Sequence, residues 1–475
     1  MLNMLNSTSE LRSYGFGSNL KAFFIILAIS IVGMVLLVAN PGYFSHDELQ
    51  KYDHVIRYGF ENYLEAYLPI HQTSAFGAPV RPVSFFVQGV LALFMENYPV
   101  IVHSSAVLVH AVVGFLLYLA VGRFTTNNKL ALLASLIFVV NPLVVMSAGW
   151  SAALMDRWYV LFGLSAFLVA ERYIRQSSSS PLLLLLVLLF SVLAILSKET
   201  AMILPGLLLL LVFCDLSVLK QKRFWLAGFT WAVPIIVFLG YRLTAIIGSF
   251  GNPQVSDYRA SVVNIPENLL VYSVYPFAHA LNEANGWVFL SVGAIGFALA
   301  VHALLVAFLG VAYGLKSIVA YVAMFFLFLA PVILIPIKGA HYMYGSALAV
   351  SVALAAIFYS KANIRYLGRA FVFCALAVLF VHSFKVQKFV YDQGRCMSRA
   401  MTSTEALYLS NGKPAAVDFQ AEPGAPGYVL NKINTGREQI AHWAPVKLTV
   451  SNWGDTPAEG TLSLAMTSTC LVYKK

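Results

Sequence analysis

The sequence predicts an all-α polytopic membrane protein of about eleven transmembrane helices, followed by a small β-rich extracytoplasmic domain. The first part rests on composition. Of the 475 residues 59% are hydrophobic and only 11% charged, with a mean hydropathy of +0.76, whereas a soluble chain carries roughly 25% charge. The second part rests on a change near Lys388, beyond which the chain turns polar and rich in Gly, Pro and Asn. The net charge of +10 does not point to nucleic acid. Lys and Arg fall in the short links between apolar runs, as topological charge does, and form no single basic block.

In chain order, residues 1–21 read as a cytosolic leader carrying Arg12 and Lys21. The apolar run at 22–40 is too long for a cleavable signal and lacks a small-residue cleavage site, so it is expected to remain as an anchor. At about 1.5 Å per residue it crosses roughly 30 Å of hydrocarbon. Its positive flank places the N-terminus inside and the loop 41–98 outside. Within that loop the stretch 83–94 is too short to span and reads as an interfacial or re-entrant helix.

Spans follow at 99–122, 129–147, 155–173, 181–197, 200–219 and 224–246. They put Arg123 and Lys129, Arg172 and Arg175, and Lys220, Lys222 and Arg223 on the cytosolic side, provided 83–94 is not counted as a span. A second outer loop is expected at 247–286, with Pro266 to His279 lying in the interface. Spans at 288–312, 317–336, 342–360 and 366–386 complete a membrane domain over 22–387, with Lys316, Lys361, Arg365 and Arg369 inside. The tail, 388–475, is then outside. Val446, Leu448 and Val450 alternate with polar residues before a turn-rich stretch, and Leu462 and Leu464 alternate after it, which predicts a β-hairpin.

Two of the four cysteines, Cys214 and Cys374, lie in apolar runs and read as buried thiols. Cys396 and Cys470 lie in the tail and are a candidate disulfide if the tail is outside the cytosol. There is no nucleotide-binding glycine loop, no HExxH, no CxxC and no tandem repeat. An enzyme built on a soluble cofactor is therefore not expected.

The candidate chemistry sits at the outer face, because ionisable groups in or against a bilayer are costly and are usually retained for a function. Asp47 and Glu48 directly follow the first span. Asp156, beside Arg157, opens the fourth span, where capping a helix N-terminus is the alternative role. Arg81, Lys198 beside Glu199, Arg242, and Lys338 with His341 and Tyr342 recur at the same level. Such a ring suits a phosphate or diphosphate whose lipid tail stays in the bilayer. The alternatives are snorkelling for Lys338 and mutual neutralisation for Lys198 and Glu199. His103 and His110, seven apart on one helix, are too far apart for one ion and read as buried, hydrogen-bonded histidines.

The order of these features resembles the GT-C integral-membrane glycosyltransferases. The residues that carry the resemblance are Asp47 and Glu48 after the first span, Arg81 and Pro82 before an interfacial helix, and Asn141 and Pro142 followed by Asp156. The segment from Leu196 to Pro205 is similar to one in the protein O-mannosyltransferase and tetratricopeptide-linked branches, and the likeness covers roughly residues 20–360. No tetratricopeptide repeats and no Trp-Trp-Asp motif follow. That departure points to a compact bacterial or phage-type enzyme, akin to the lipid A aminoarabinose transferases or an O-antigen-modifying serotype-conversion type.

The resemblance implies a polyprenyl-phosphate-sugar donor and a glycan, lipid or protein hydroxyl as acceptor. It implies a bacterial inner membrane with the site on the periplasmic side, serving lipopolysaccharide or another envelope glycan. Asp47 becomes the general base of an inverting transfer, with Glu48 and Asp156 as further catalytic carboxylates. Arg242, Lys198, Lys338, Arg81, His341 and Tyr342 bind the donor phosphate, and His46, Glu199 and Arg157 bind acceptor or orient the other groups. No metal-ligand set is visible and no cofactor is expected, with a divalent ion left open. Two other classes fit the composition, a transporter or flippase of lipid-linked sugar and a non-enzymatic membrane assembly factor. The first predicts ionisable groups at mid-bilayer and two related halves.

Overall fold

The computed structural model describes residues 16–67, 80–95, 97–125, 127–176, 180–249, 261–278, 291–436 and 447–475. Most of the expected leader, the middle of the loop 41–98 and nearly half of the loop 247–286, His279 included, lie outside these residues. The membrane part begins with α1 (Phe16–Gly33), α2 (Val35–Val38), α3 (His46–Tyr67), α4 (Pro82–Met95) and α5 (Pro99–Phe124). It continues with α6 (Asn128–Val139), α7 (Pro142–Gly149), α8 (Leu154–Arg175), α9 (Pro181–Ser197), α10 (Leu209–Cys214) and α11 (Lys222–Ser249). Then come α12 (Ile265–Val274), α13 (Val292–Tyr313), α14 (Leu315–Leu327), α15 (Ser346–Phe358) and the 46-residue α16 (Arg365–Ser410). The tail holds β1 (Ala416–Ala421), α17 (Gly427–Gly436), β2 (Lys447–Ser451), β3 (Leu462–Met466) and β4 (Val472–Lys474).

The chain is a multi-pass α-helical membrane protein with a small C-terminal sheet. Among the described residues five helices are long and apolar enough to cross a membrane alone, and the pair α6 and α7, bent by 53°, is so only when the two are taken together. The remaining expected spans coincide with shorter apolar helices or, at 199–220, with 3-10 and α turns. The stretch expected at the interface is the 14-residue α4.

The breaks in these helices have local causes. Pro142 disfavours helical backbone at Asn141. Asn141 is extended (φ −68°, ψ 132°), and its Oδ1 accepts from the Leu143 N–H at 3.0 Å, capping α7. At Lys198 the backbone is again extended (φ −159°, ψ 136°), and Glu199–Leu208 continues as a 3-10 helix. Such a break frees a side chain to point along the bundle rather than out of it. The break within α3 falls at Gly59, whose φ of 82° only glycine adopts without strain.

The tail departs from the expected hairpin. The strand order is β2-β1-β3-β4, with β1 parallel to both β2 and β3, and β3 antiparallel to β4. The two alternating stretches thus lie on either side of β1 and do not pair with each other. β1 occupies the centre because both its faces are covered. Val417 and Phe419 enter the apolar cluster, while Asp418 accepts from Thr449 Oγ1 (2.8 Å) and Ser451 Oγ (2.5 Å). α16 runs without interruption past residue 388 and so carries the membrane helix directly into the tail. Cys396 on α16 is disulfide-bonded to Cys470 just before β4, 74 residues away.

The close approach of α16 to the first span decides how the chain leaves α2. A Cβ on Gly394 would meet Asn40 Oδ1 at 1.8 Å, and one on Gly42 would meet the Gly394 carbonyl oxygen at 2.3 Å. Asn40 cannot yield readily, because it is buried and its Oδ1 accepts from the Gly42 N–H at 3.1 Å. Gly394→Ala is expected to destabilise the protein by about 1–3 kcal/mol, while Gly293→Ala, with nothing within 4 Å, is near neutral. Thermal unfolding in detergent compares the two.

Candidate active site

Arg157 is among the largest fully buried side chains of the chain, and a buried guanidinium needs partners. It lies in the first turn of α8 and donates to the Ser147 carbonyl of α7. The bend at Asn141 brings that carbonyl across the start of α8. Arg157 also feels the Asp156 and Glu48 carboxylates and the Tyr344 hydroxyl. Tyr344 in turn bonds His110 Nδ1 at 2.8 Å.

Asp156 is not a helix cap. The residue preceding α8 is Ala153, which makes no side-chain cap, and the Asp156 Oδ1 accepts from Lys198 Nζ at 2.5 Å. Both side chains are almost fully buried. The extended backbone at Lys198 aims its side chain into the bundle, with the ammonium 4.8 Å from the centre of the Tyr342 ring. Lys198 and Glu199 thus take different hydrogen-bonded partners, while the Glu199 carboxylate still attracts Lys198. Glu199 Oε2 accepts from Arg81 Nε at 2.7 Å, and Arg81 also contacts Met155 Sδ. Arg242 bears on Glu199 electrostatically. His341 packs between Trp150 (4.9 Å) and Tyr342 (4.1 Å), within the field of Lys198 and Arg81.

Glu48 fixes the segment after α2 to this cluster. Its Oε2 accepts from the N–H groups of Phe44 (2.5 Å) and Ser45 (3.2 Å), at the N-terminus of α3. Its Oε1 accepts from the N–H (2.5 Å) and hydroxyl (2.9 Å) of Ser151. Burial raises the Glu48 pKa while these donors oppose it. Trp150 Nε1 donates to Ser45 Oγ at 2.7 Å, a second tie between the same two segments.

Asp47 is different. Its side chain is 44% exposed and lies 3.4 Å from His46 Nε2. One turn on, Lys51 carries an ammonium 3.7 Å from the Tyr67 ring centre. Burial and the like charge of Arg81 lower Lys51 to about 8, with Asp47 opposing. A small cavity beside this turn is lined by Glu48, Lys51, Gln88 and Ser151, among others.

The structure thus joins Asp47, Glu48, Arg81, Asp156, Arg157, Lys198, Glu199, Arg242, His341 and Tyr342 into one neighbourhood. Lys338 is bound to Glu267 of α12 at 2.7 Å. His103 and His110 are buried, with His103 Nε2 3.3 Å from the Gly42 carbonyl oxygen and His110 Nε2 3.2 Å from that of Val139. Among the described residues no three His, Cys, Asp or Glu side chains gather as metal ligands. Sequence reasoning missed Lys51, Trp150 and Ser151. Lys51, four residues after Asp47 on one helix face, was open to detection by spacing. Ser151 carried no signal.

No family model matches the chain, and no curated protein matches it. Solved structures similar to it include ArnT from Cupriavidus metallidurans bound to undecaprenyl phosphate, at 12% identity over 95% of this chain and 93% of that one, with a TM-score of 0.48. ArnT in the apo state gives 14% identity, coverages of 92% and 86%, and a TM-score of 0.47. The archaeal oligosaccharyltransferase AglB from Archaeoglobus fulgidus, in complex with an inhibitory peptide and a dolichol-phosphate, gives 12%, 93% and 65%, and 0.44.

Asp156→Asn leaves Lys198 buried without its hydrogen-bonded counter-charge and is expected to cost about 3–5 kcal/mol of stability. Combining it with Lys198→Met recovers much of that loss. A double-mutant cycle of thermal unfolding in detergent checks both values.

Proposed function

We propose that the chain is an inverting glycosyltransferase that moves a sugar from a polyprenyl-phosphate-sugar to a hydroxyl of an envelope glycan, lipid or protein. The observation that carries this reading is one arrangement. A half-exposed carboxylate, Asp47, stands on a loop clamped by Glu48, beside the partly or fully buried cations Arg81, Lys198 and Arg157. The groups lie at the outer ends of helices, where a lipid phosphate resides while its tail stays in hydrocarbon.

In the proposed reaction Asp47 takes the proton of the acceptor hydroxyl as its oxygen attacks the anomeric carbon. The bond to phosphate oxygen breaks on the opposite face, and the lipid phosphate leaves with the electron pair. Arg81, Lys198 and Arg242 take up the charge that develops there, with Tyr342 and His341 shaping the pocket around Lys198. Glu48 has both oxygens occupied, so its role is to hold the loop, and Asp156 keeps Lys198 charged and aimed. His46 and Arg157 orient Asp47 and Asp156. Lys338, bound to Glu267, serves the entrance. The disulfide between Cys396 and Cys470 supports an oxidising compartment for the tail. That fits a bacterial inner membrane with its outer face toward the periplasm.

The test is transfer of radiolabelled sugar from synthetic polyprenyl-phosphate-sugars by purified protein into envelope-glycan and protein acceptors. Wild type is expected to transfer label, and Asp47→Asn to lose about 10²–10⁴-fold in rate while still binding donor. Equal rates would remove Asp47 as the base. No transfer with any donor would favour a flippase. Activity is also expected to survive EDTA, and a loss restored by manganese would bring a metal into the mechanism.

A further inference from the structure

The tail sends one charged side chain inward. Lys432 of α17 is 9% exposed and lies between the tail and the first outer loop. Its Nζ donates to the Phe44 carbonyl oxygen at 3.0 Å and to Gln393 Oε1 of α16 at 2.6 Å. The same ammonium lies 4.9 Å from the Phe44 ring centre and 5.5 Å from that of Tyr428. The Glu48 and Asp47 carboxylates attract it.

Phe44 is thereby gripped on every side. Its N–H is held by Glu48, its carbonyl by Lys432, and its ring by Trp150 (6.0 Å) and Phe389 (5.7 Å). Three residues later in the chain comes Asp47. A buried lysine is costly unless its charge is matched, and a contact whose only purpose was to dock the tail could be made with apolar side chains. Here the charge is spent on one turn of backbone.

We propose that Lys432 is a positioning residue of the site, by which the tail fixes the turn at Phe44 and Ser45 and so holds Asp47 and Glu48 in place. This rests on the transferase reading for its consequence in catalysis, though not for its geometry. Burial lowers Lys432 to about 8, with Glu48 and Asp47 opposing, so at neutral pH the ammonium is the main form and can donate to both acceptors.

The test compares full-length wild type with Lys432→Met, Lys432→Arg and Lys474→Met. Lys474 is an exposed tail residue whose ammonium binds Asn411, away from the loop. Two readouts are taken, amide hydrogen exchange at Phe44 and Ser45, and kcat and KM for donor in the sugar-transfer assay. Lys432→Met is expected to speed exchange at both amides and to lower kcat about tenfold or more with KM within about twofold, as misplacement of a catalytic group does. Lys432→Arg, which keeps charge and donors, is expected to retain more kcat than the Met variant, and Lys474→Met to match wild type.

Unchanged exchange or unchanged kcat in Lys432→Met overturns the proposal. So does an equal loss in Lys474→Met, which would make the tail a general stabiliser. If Lys432→Met fails to fold, Lys432→Arg decides by the same two readouts, protected amides with retained kcat supporting the role and exposed amides with lost kcat opposing it. If wild type transfers no sugar from any donor, the transferase reading fails, and hydrogen exchange alone decides whether Lys432 fixes the loop.

Discussion

The buried pair of Asp156 and Lys198 is the constraint on which the charged end of the helix bundle depends. A lone charge at that depth costs several kcal/mol, so the start of α8 and the break between α9 and the following 3-10 helix must stay together once either charge is buried. The neighbouring residues extend this requirement. Arg157, adjacent to Asp156, holds the Ser147 carbonyl of α7, and Glu199, adjacent to Lys198, holds Arg81 at the entrance to α4. Two consecutive pairs of residues thus tie four segments at one level. Such a network favours a single arrangement because each wrong one strands a charge.

The segment from Phe44 into α3 docks on this frame through Glu48 and not through Asp47. Adjacent acids on a helix point in different directions, and here one is fully hydrogen-bonded to Phe44, Ser45 and Ser151 while the other faces solvent. That division gives a rigid anchor and an available carboxylate from two neighbouring positions. The tail closes the other side, through Lys432 and through the close packing of Gly394 on Asn40. Residues nearly four hundred positions apart therefore shape one turn.

Much of this was legible in the chain. Apolar helices announce themselves by hydropathy, but the span expected at 129–147 is broken into α6 and α7 at Asn141 and Pro142. Asp47, Glu48, Arg81, Asp156 and Lys198 were found because charge beside apolar segments is rare. Their pairing was not legible. Lys198 stands next to Glu199 in sequence and binds Asp156 instead, since an extended residue turns successive side chains to opposite sides. Lys338 resembled the other cations in sequence, yet it reaches Glu267 on α12. The expected hairpin failed for a related reason. Two alternating stretches can pair with each other or with a third strand between them, and β1, with Asp418 and Gln420 on one face, gave no sign in sequence that its polar side would be buried.

The sequence by itself determined that the chain is a multi-pass helical membrane protein with a small polar C-terminal domain, because hydropathy acts locally along the chain. Only the tertiary structure decided which carboxylate is anchored and which is open, which cation meets which acid, and that the tail belongs to the site through Lys432. Those choices depend on distances between segments remote in sequence. The energy that selects among them, the cost of leaving a buried charge or donor unmatched, exists only after the segments have packed.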